Sequence, residues 1–231
     1  MRTAYFFELL GESKDMPTAE VEGCLMAECD SEYEIIRCGP GYVIAEFDDS
    51  HLDDIADRIS LTHHVGRFLG TLTADDFSQI QDAVLPPGTF AVKGKRFAGM
   101  MHGYDTQALI RKVGGFLSRN NDVDLKNPDV TVQLNFSDSI NLFIEEKAVE
   151  KDLLAKRKVS ERPFFSPISL HPKYARALIN MTGVKRGGTV LDPFCGTGGI
   201  VIEAAEMGMK AMGSDFDEEM VYGCMENLDF Y

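Results

Sequence analysis

One stretch limits the fold of this chain more than any other: TVLDPFCGTGGIVIEAAEMGMKAMGSDFD, residues 189–217. A short apolar run ends at Asp192. A glycine-rich turn follows, from Pro193 to Gly199. Ile200 to Met207 then carry a helical pattern stopped by Gly208, and a second apolar run from Lys210 leads to Asp215. Strand, helix and strand with short connections predict a βαβ unit, which presents its ligand site at the carboxyl ends of the strands. The first of these strands, 188–192, is expected to be buried.

The residues of the turn narrow the ligand. Glycines let the backbone approach a bound molecule closely, and the helix N-terminus supplies free N–H groups. Asp215 lies about twenty residues beyond the turn, where a carboxylate can bind both hydroxyls of a ribose. The turn is not G-x-G-x-x-G, and it lacks the G-K-[ST] of a phosphate loop. Asp192 stands where dinucleotide binders keep the floor clear for a pyrophosphate. A carboxylate there suits a cationic group, an α-amino group or a sulfonium. Ribose, amino acid and no phosphate together point to S-adenosylmethionine. Asp192, Pro193, Phe194, Cys195, Gly196, Thr197, Gly198 and Asp215 are the candidate cofactor contacts.

Charge adds a second clue. The chain carries a net charge of −14, which by itself argues against a nucleic-acid partner. The distribution says more. Residues 91–126 are net +4 and residues 151–186 net +7, whereas residues 1–90 are net −13. Two basic islands, AVKGKRF…LIRKVGGFLSRN and KDLLAKRKVSERPFF, in so acidic a background make a polyanion a candidate partner. No run of about 18 apolar residues occurs, so no membrane span is expected. The N-terminus does not resemble a secretory signal. The five cysteines have no paired spacing, so reduced thiols in a cytoplasmic protein are expected, without a metal site.

The rest of the chain reads as small α/β units. Residues 1–73 give strand, helix, strand, strand, helix, strand, with a clear turn at Cys38–Gly41; this order suggests a ferredoxin-like unit. MPTAEVEGCLMAECD reads as its first helix, with Thr18 as a candidate cap just before Ala19–Glu20. Residues 74–150 open with a short helix over DDFSQIQDAV, broken at Pro86-Pro87-Gly88. A basic strand, an amphipathic helix (Ala108, Leu109, Val113, Phe116 and Leu117 on its apolar side) and two strands about Ser137–Ser139 follow. Residues 151–163 read as a basic linker leading to a helix near Lys173–Met181.

D-P-F-C-G-T-G-G resembles the first motif of class I methyltransferases that modify exocyclic amines of nucleobases. FFSPISLHPKYARALINMTGV, residues 164–184, looks like the helix preceding that motif in the same enzymes. KVGGFLSRNNDVDLKNPDVTVQL is similar to THUMP domains. The order of parts resembles the archaeal THUMP-containing tRNA methyltransferases acting on the exocyclic amine of guanosine 10. The resemblance implies an α/β chain with a ferredoxin-like domain at 1–73, a THUMP domain at 74–150, a linker at 151–163, and the beginning of a Rossmann-like class I methyltransferase domain at 164–231. It implies tRNA as partner, with Lys93, Lys95, Arg96, Arg111, Lys112 and Arg119 as phosphate contacts. It also implies an approach of His171 to the cofactor. A monomer in the cytoplasm, without DNA or membrane partners, is expected.

The chain departs from the family in one respect. The family's [DN]-P-P-[YF] motif accepts a hydrogen bond from the target amine and stacks on the flipped base. It does not occur here; the one Pro-Pro pair, Pro86-Pro87, follows Leu85. No catalytic residue is therefore assigned. The chain is expected to represent a C-terminally truncated enzyme, inactive alone, with apolar surface exposed at Val190, Leu191, Ile200 and Val201. Two other readings are a non-catalytic tRNA-binding THUMP protein and a methyltransferase for another nucleobase amine.

Overall fold

The structure, a computed structural model, describes residues 1–30, 32–73, 75–119, 121–149, 154, 156–167 and 169–231. Residues 151–153 and 155 of the expected linker, and the boundary positions 74 and 150, lie outside the described residues. Along the chain run β1 (Arg2–Leu9), α1 (Met16–Glu28), β2 (Glu34–Gly39), β3 (Tyr42–Asp48), α2 (Leu52–Arg58) and β4 (Thr62–Leu72). Next come β5 (Phe90–Arg96), α3 (Thr106–Leu117), β6 (Val130–Phe136) and β7 (Ile140–Ala148). The last part holds α4 (Pro172–Met181), β8 (Thr189–Asp192), α5 (Gly199–Glu206), β9 (Lys210–Gly213) and α6 (Glu218–Phe230). The elements fall into two compact units. One comprises Met1–Lys14, Glu34–Asp49 and Thr62–Ala148; the other comprises Asp15–Tyr33, Ser50–Leu61 and Val149–Tyr231.

The first unit is built on a seven-stranded sheet in the order β2-β3-β1-β4-β7-β6-β5. Neighbours are antiparallel except β5 and β6. The first four strands have the order and sense of the ferredoxin-like unit expected. β1 is an aromatic run rather than an alternation because its side chains are buried on both faces. Phe6 stacks on Phe143 with ring centroids 4.6 Å apart, and Tyr5, pointing the other way, stacks on Phe47 at 4.7 Å. α3 lays Leu109, Val113 and Leu117 on Phe90, Val132, Leu134 and Leu142 of the sheet. Asp105 fixes where α3 begins: its Oδ1 accepts from the Ala108 N–H at 3.0 Å.

Two local expectations are corrected here. The segment after Asp75 is not a helix but one 3-10 turn, Ser78–Ile80. The Thr73 hydroxyl accepts from the Asp76 N–H, and Asp76 in turn accepts from the Ser78 N–H at 2.8 Å. Such side-chain bonds offer the backbone an alternative to helix. The residue before α1 is Asp15, not Thr18, and Pro17 in the first turn supplies the helical φ.

The second unit joins α1 and α2 to α4 through a buried polar cluster. Glu20 Oε1 accepts from the Ser60 N–H (2.9 Å), the Ser60 hydroxyl (2.7 Å) and Asn180 Nδ2 (2.8 Å), and Oε2 accepts from the Leu61 N–H (2.7 Å). Arg58 Nε donates to Asn180 Oδ1 at 2.9 Å. Gly23 lets the backbones of α1 and α4 meet, because a β-carbon there would strike the Asn180 carbonyl. β8 and β9 pair in parallel, Thr189 opposite Lys210 and Asp192 opposite Gly213, which gives the βαβ unit.

The burial expected of β8 does not hold. Its two-stranded sheet has no further neighbour among the described residues, and Leu191 is 60 % exposed. Of the other apolar positions expected at the surface, Val190 and Ile200 are half-buried, and Val201 is buried against Cys195 and Cys224. Two arginines of the second basic island turn inward, while Lys156 and Lys158 stay exposed. Arg157 and Arg162 are buried, and Arg157 grips the buried Glu203 with two bonds, Nε at 2.8 Å and Nη2 at 3.1 Å.

Candidate functional site

The ends of β8 and β9 build the site. Because the strands are in register, Asp192 and the Ser214–Asp215 pair emerge side by side. The Ser214 N–H donates to the Asp192 carbonyl and the Cys195 N–H to the Ser214 carbonyl, both at 2.9 Å. Gly198 closes the turn with an N–H bond to the Cys195 carbonyl at 2.8 Å. Its φ of 85° is left-handed, and a β-carbon there would lie 2.6 Å from Cys224 Sγ. Glycine is thus required at this position on two counts.

Asp215 is held by the backbone it faces. Its Oδ1 accepts from the Asp217 N–H at 3.1 Å and its Oδ2 from the Gly196 N–H at 2.8 Å. These N–H groups, Asp217 first, hold its carboxyl below the usual range. The group is therefore ionised and purely an acceptor at neutral pH, with lone pairs left on both oxygens for a ligand's hydroxyls. Asp192 Oδ1 accepts from the Phe194 N–H at 3.1 Å. Burial pushes the Cys224 thiol up to about 12 and raises that of Cys195 as well, so neither is a thiolate nucleophile.

A second segment closes over the turn. The buried Asn227 side chain of α6 donates to the Thr197 and Phe164 carbonyls, both at 3.0 Å, and accepts from the Phe164 N–H at 2.9 Å. The Ser169 hydroxyl lies 2.7 Å from that of Thr197. Between segment and turn opens a cavity of about 430 Å³. Asp192, Phe194, Cys195, Gly196, Thr197 and Asp215 line it; Pro193, Gly198 and His171 do not. His171 instead begins α4, its Nδ1 accepting from the Lys173 N–H at 3.2 Å.

The wall also holds residues that sequence reasoning missed: Ser166, Ser169, Leu170, Phe216, Asp217 and Met220. Ser169 and Leu170 lie in the segment singled out before α4, and Phe216 directly follows the strand-end Asp215, so their chain positions carried a signal. Met220 carried none. Phe194 and Phe216 are 78 % and 94 % exposed, two aromatic rings free to stack on a planar group.

The donor set fits S-adenosylmethionine. A β-carbon on Gly196 would meet nothing within 4 Å, so the backbone face of the turn is open to a ligand. Asp215 suits a ribose, Asp192 a cationic amino group, and Leu170, Phe194, Phe216 and Met220 an adenine and a thioether chain.

The basic residues picked as phosphate contacts lie in the other unit, on β5, on α3 and just after it. Lys93 and Arg111 are exposed and have no hydrogen-bond or ion-pair partner among the described residues. Lys95 pairs with Glu8 at 3.0 Å and Lys112 with Asp75 at 3.5 Å. Arg96 donates to the Tyr104 carbonyl, and Arg119 stacks over Phe116 with its guanidinium 4.4 Å from the ring centroid. Part of this island's charge is thus already engaged.

Comparison with known proteins matches two families. Residues 75–144 match the THUMP domain, and residues 160–231 match the RMKL-like methyltransferase domain. A tRNA (guanine(10)-N2)-dimethyltransferase of Pyrococcus abyssi is 32 % identical over 239 residues, covering 98 % of this chain and 68 % of the relative. The enzyme of the same description from Methanothermobacter thermautotrophicus is 32 % identical over 227 residues, covering 95 % of this chain and 66 % of the relative. The chain thus spans about two thirds of the length of these curated relatives. Among solved structures, TrmN from Thermus thermophilus superposes with a TM-score of 0.54 at 22 % identity, covering 97 % of this chain and 69 % of that one, a likeness of fold.

Proposed function

Because the chain belongs to the family of THUMP-containing tRNA (guanine(10)-N2)-methyltransferases, we propose that it binds S-adenosylmethionine and tRNA for methylation of a guanosine exocyclic amine. The position modified is taken to be guanosine 10, as the names of its relatives print. The observation that carries the reading is the ionised Asp215, clamped by the N–H groups of Asp217 and Gly196 at the rim of a glycine-floored cavity.

When bound, the cofactor supplies an electrophilic methyl group. The chain's residues then bind and orient it. Asp215 accepts the ribose hydroxyls, Asp192 faces the amino group, and the open backbone at Gly196 admits the amino-acid end. The Thr197–Ser169 and Asn227–Phe164 bonds hold the wall against the turn and limit the entry of water. We assign tRNA binding to the first unit, with the phosphate contacts at Lys93, Lys95, Arg96, Arg111, Lys112 and Arg119. We keep the division into domains at 1–73, 74–150 and 164–231, the action as a monomer and the cytoplasmic location as parts of this proposal. The sequence holds no [DN]-P-P-[YF] motif, so we place cofactor and RNA binding in these residues and assign no amine acceptor among them.

The test is equilibrium binding of S-adenosylhomocysteine to the chain and to Asp215→Ala. Loss of charge-assisted acceptance of the ribose should weaken binding by about 100-fold or more. Unchanged affinity would refute the ribose role, and no binding by the parent chain would refute the cofactor.

A further inference from the structure

The second unit holds another cavity, of about 360 Å³. Glu28, Arg58 and Glu206, the last residues of α1, α2 and α5, border it. So do Arg176 of α4, Arg186 just before β8 and Met209 just before β9. The cavity thus lies at the amino ends of β8 and β9, whereas the cofactor site lies at their carboxyl ends. Arg157 completes a set of four arginines on its wall.

Four guanidinium groups around one space repel one another, and each needs an acceptor. The described residues supply acceptors unevenly. Arg58 donates to Glu28, to Asn180 and to the Val184 carbonyl. Arg157 donates twice to Glu203 and once to Glu206. Arg176 shares that same Glu203 through Nε at 3.2 Å and reaches the Asp57 carbonyl through Nη1 at 3.0 Å. Its Nη2 has no hydrogen-bond partner among the described residues and remains open to solvent. Arg186 is exposed, with no hydrogen-bond or ion-pair partner among the described residues. Its stem is nevertheless held in place: Cγ lies 3.3 Å from where a β-carbon on Gly208 would sit, so a larger residue there would displace it.

The balance of charge points the same way. Among the mostly buried side chains, Arg58, Arg157 and Arg176 outnumber Glu28 and Glu203. Asp57 and Glu206, also on the wall, are exposed, and water screens them. The carboxyl ends of the three helices offset part of the excess, but they give Arg176 Nη2 and Arg186 no acceptor.

We infer that this cavity binds a phosphate group, clasped between Arg176 Nη2 and the guanidinium of Arg186, at a site separate from that of the cofactor. A guanidinium fork matches phosphate oxygens in pairs, and such charge-assisted bonds are among the strong ones. A planar carboxylate has two oxygens and fills one fork; a phosphate has oxygens enough for two. The volume is about tenfold that of one water in the liquid, room for a phosphate and part of the group that carries it. An RNA backbone and a small phosphorylated compound both present this chemistry.

Arg186→Ala tests the site, because Arg186 makes no bond on which the fold depends. Melting of the parent chain and of R186A is compared in inorganic phosphate and in sodium chloride of equal ionic strength. Exclusion of phosphate from protein surfaces stabilises both chains alike, so the difference between them reports the site. At about 20 mM phosphate the parent should gain about 2–4 °C more than R186A, and in chloride the two should melt within about 2 °C of each other. Calorimetric titration with phosphate should show binding about tenfold weaker in R186A. No gain of the parent over chloride, or an equal gain in both chains, would overturn the inference. S-adenosylhomocysteine should bind both chains equally; a parallel loss in R186A would merge the two sites and overturn their separation. Titration with tRNA then names the source. A slope of log K against log salt lower by about one in R186A assigns the site to an RNA phosphate, and an unchanged slope and affinity assign it to a small phosphorylated compound.

Discussion

Cys195 and Cys224 show how a residue's setting overrides its intrinsic chemistry. Both thiols are buried beside Gly198, and desolvation raises their pKa, that of Cys224 to about 12. At pH 8 both are therefore neutral thiols, with thiolate forming only at higher pH. Cys38 is the exposed cysteine. Iodoacetamide at pH 8 should modify Cys38 within minutes and leave Cys195 and Cys224 intact until the fold opens, as read by peptide mass mapping. Rapid labelling of Cys195 would show the turn to be open. The cavity-lining residues that the sequence singled out in the turn and at the strand ends, among them Asp192, Gly196 and Asp215, sit within one short βαβ unit, so chain spacing alone places them. Ser169 escaped because its relation to Thr197 arises only when the chain returns on itself through α4. An arginine in a basic run reads as solvated surface, and nothing in KRKVSERPFF says that Arg162 points inward.

At the scale of elements, strands were the most legible because turns punctuate them: Gly39-Pro40-Gly41 between β2 and β3, Ser137–Ser139 between β6 and β7. Helix limits were less so. The polar segment at 75–84 has helical composition, yet the Thr73 and Asp76 side chains capture the N–H groups of Asp76 and Ser78. The meeting of α1 with α4 was not foreseeable, since Gly23 in a helix reads as a mild defect and its reason lies at Asn180. Gly23→Ala should force the two helices apart and cost about 1–3 kcal/mol, the range for overpacking, against a gain of under about 1 kcal/mol in helix propensity. Urea unfolding should show a lower midpoint at unchanged slope. A raised midpoint would mean that α1 shifts freely over α4.

For the whole molecule, charge decides how the chain meets RNA. The net charge of −14 opposes any polyanion, so binding depends on cations that remain unengaged. Lys93 and Arg111 meet that condition, whereas Lys95 and Lys112 already face Glu8 and Asp75. Replacing Lys93 and Arg111 together by alanine should weaken tRNA binding and lower the slope of log K against log salt by about two. An unchanged slope would move the RNA contact elsewhere. The charge map suggested two RNA-facing islands, but the structure spends Arg157 of the second on Glu203, a pairing that composition cannot reveal. The discontinuity of the two units also bears on how the chain is made. Glu20 precedes its partner Asn180 by 160 residues, so on the ribosome α1 and α2 emerge long before α4 exists. The buried carboxylate of Glu20 must wait for the synthesis of 160 further residues before it meets that amide. The second unit can close only once α4 has emerged, when a nascent chain already carrying its first sheet recruits two helices that were made long before.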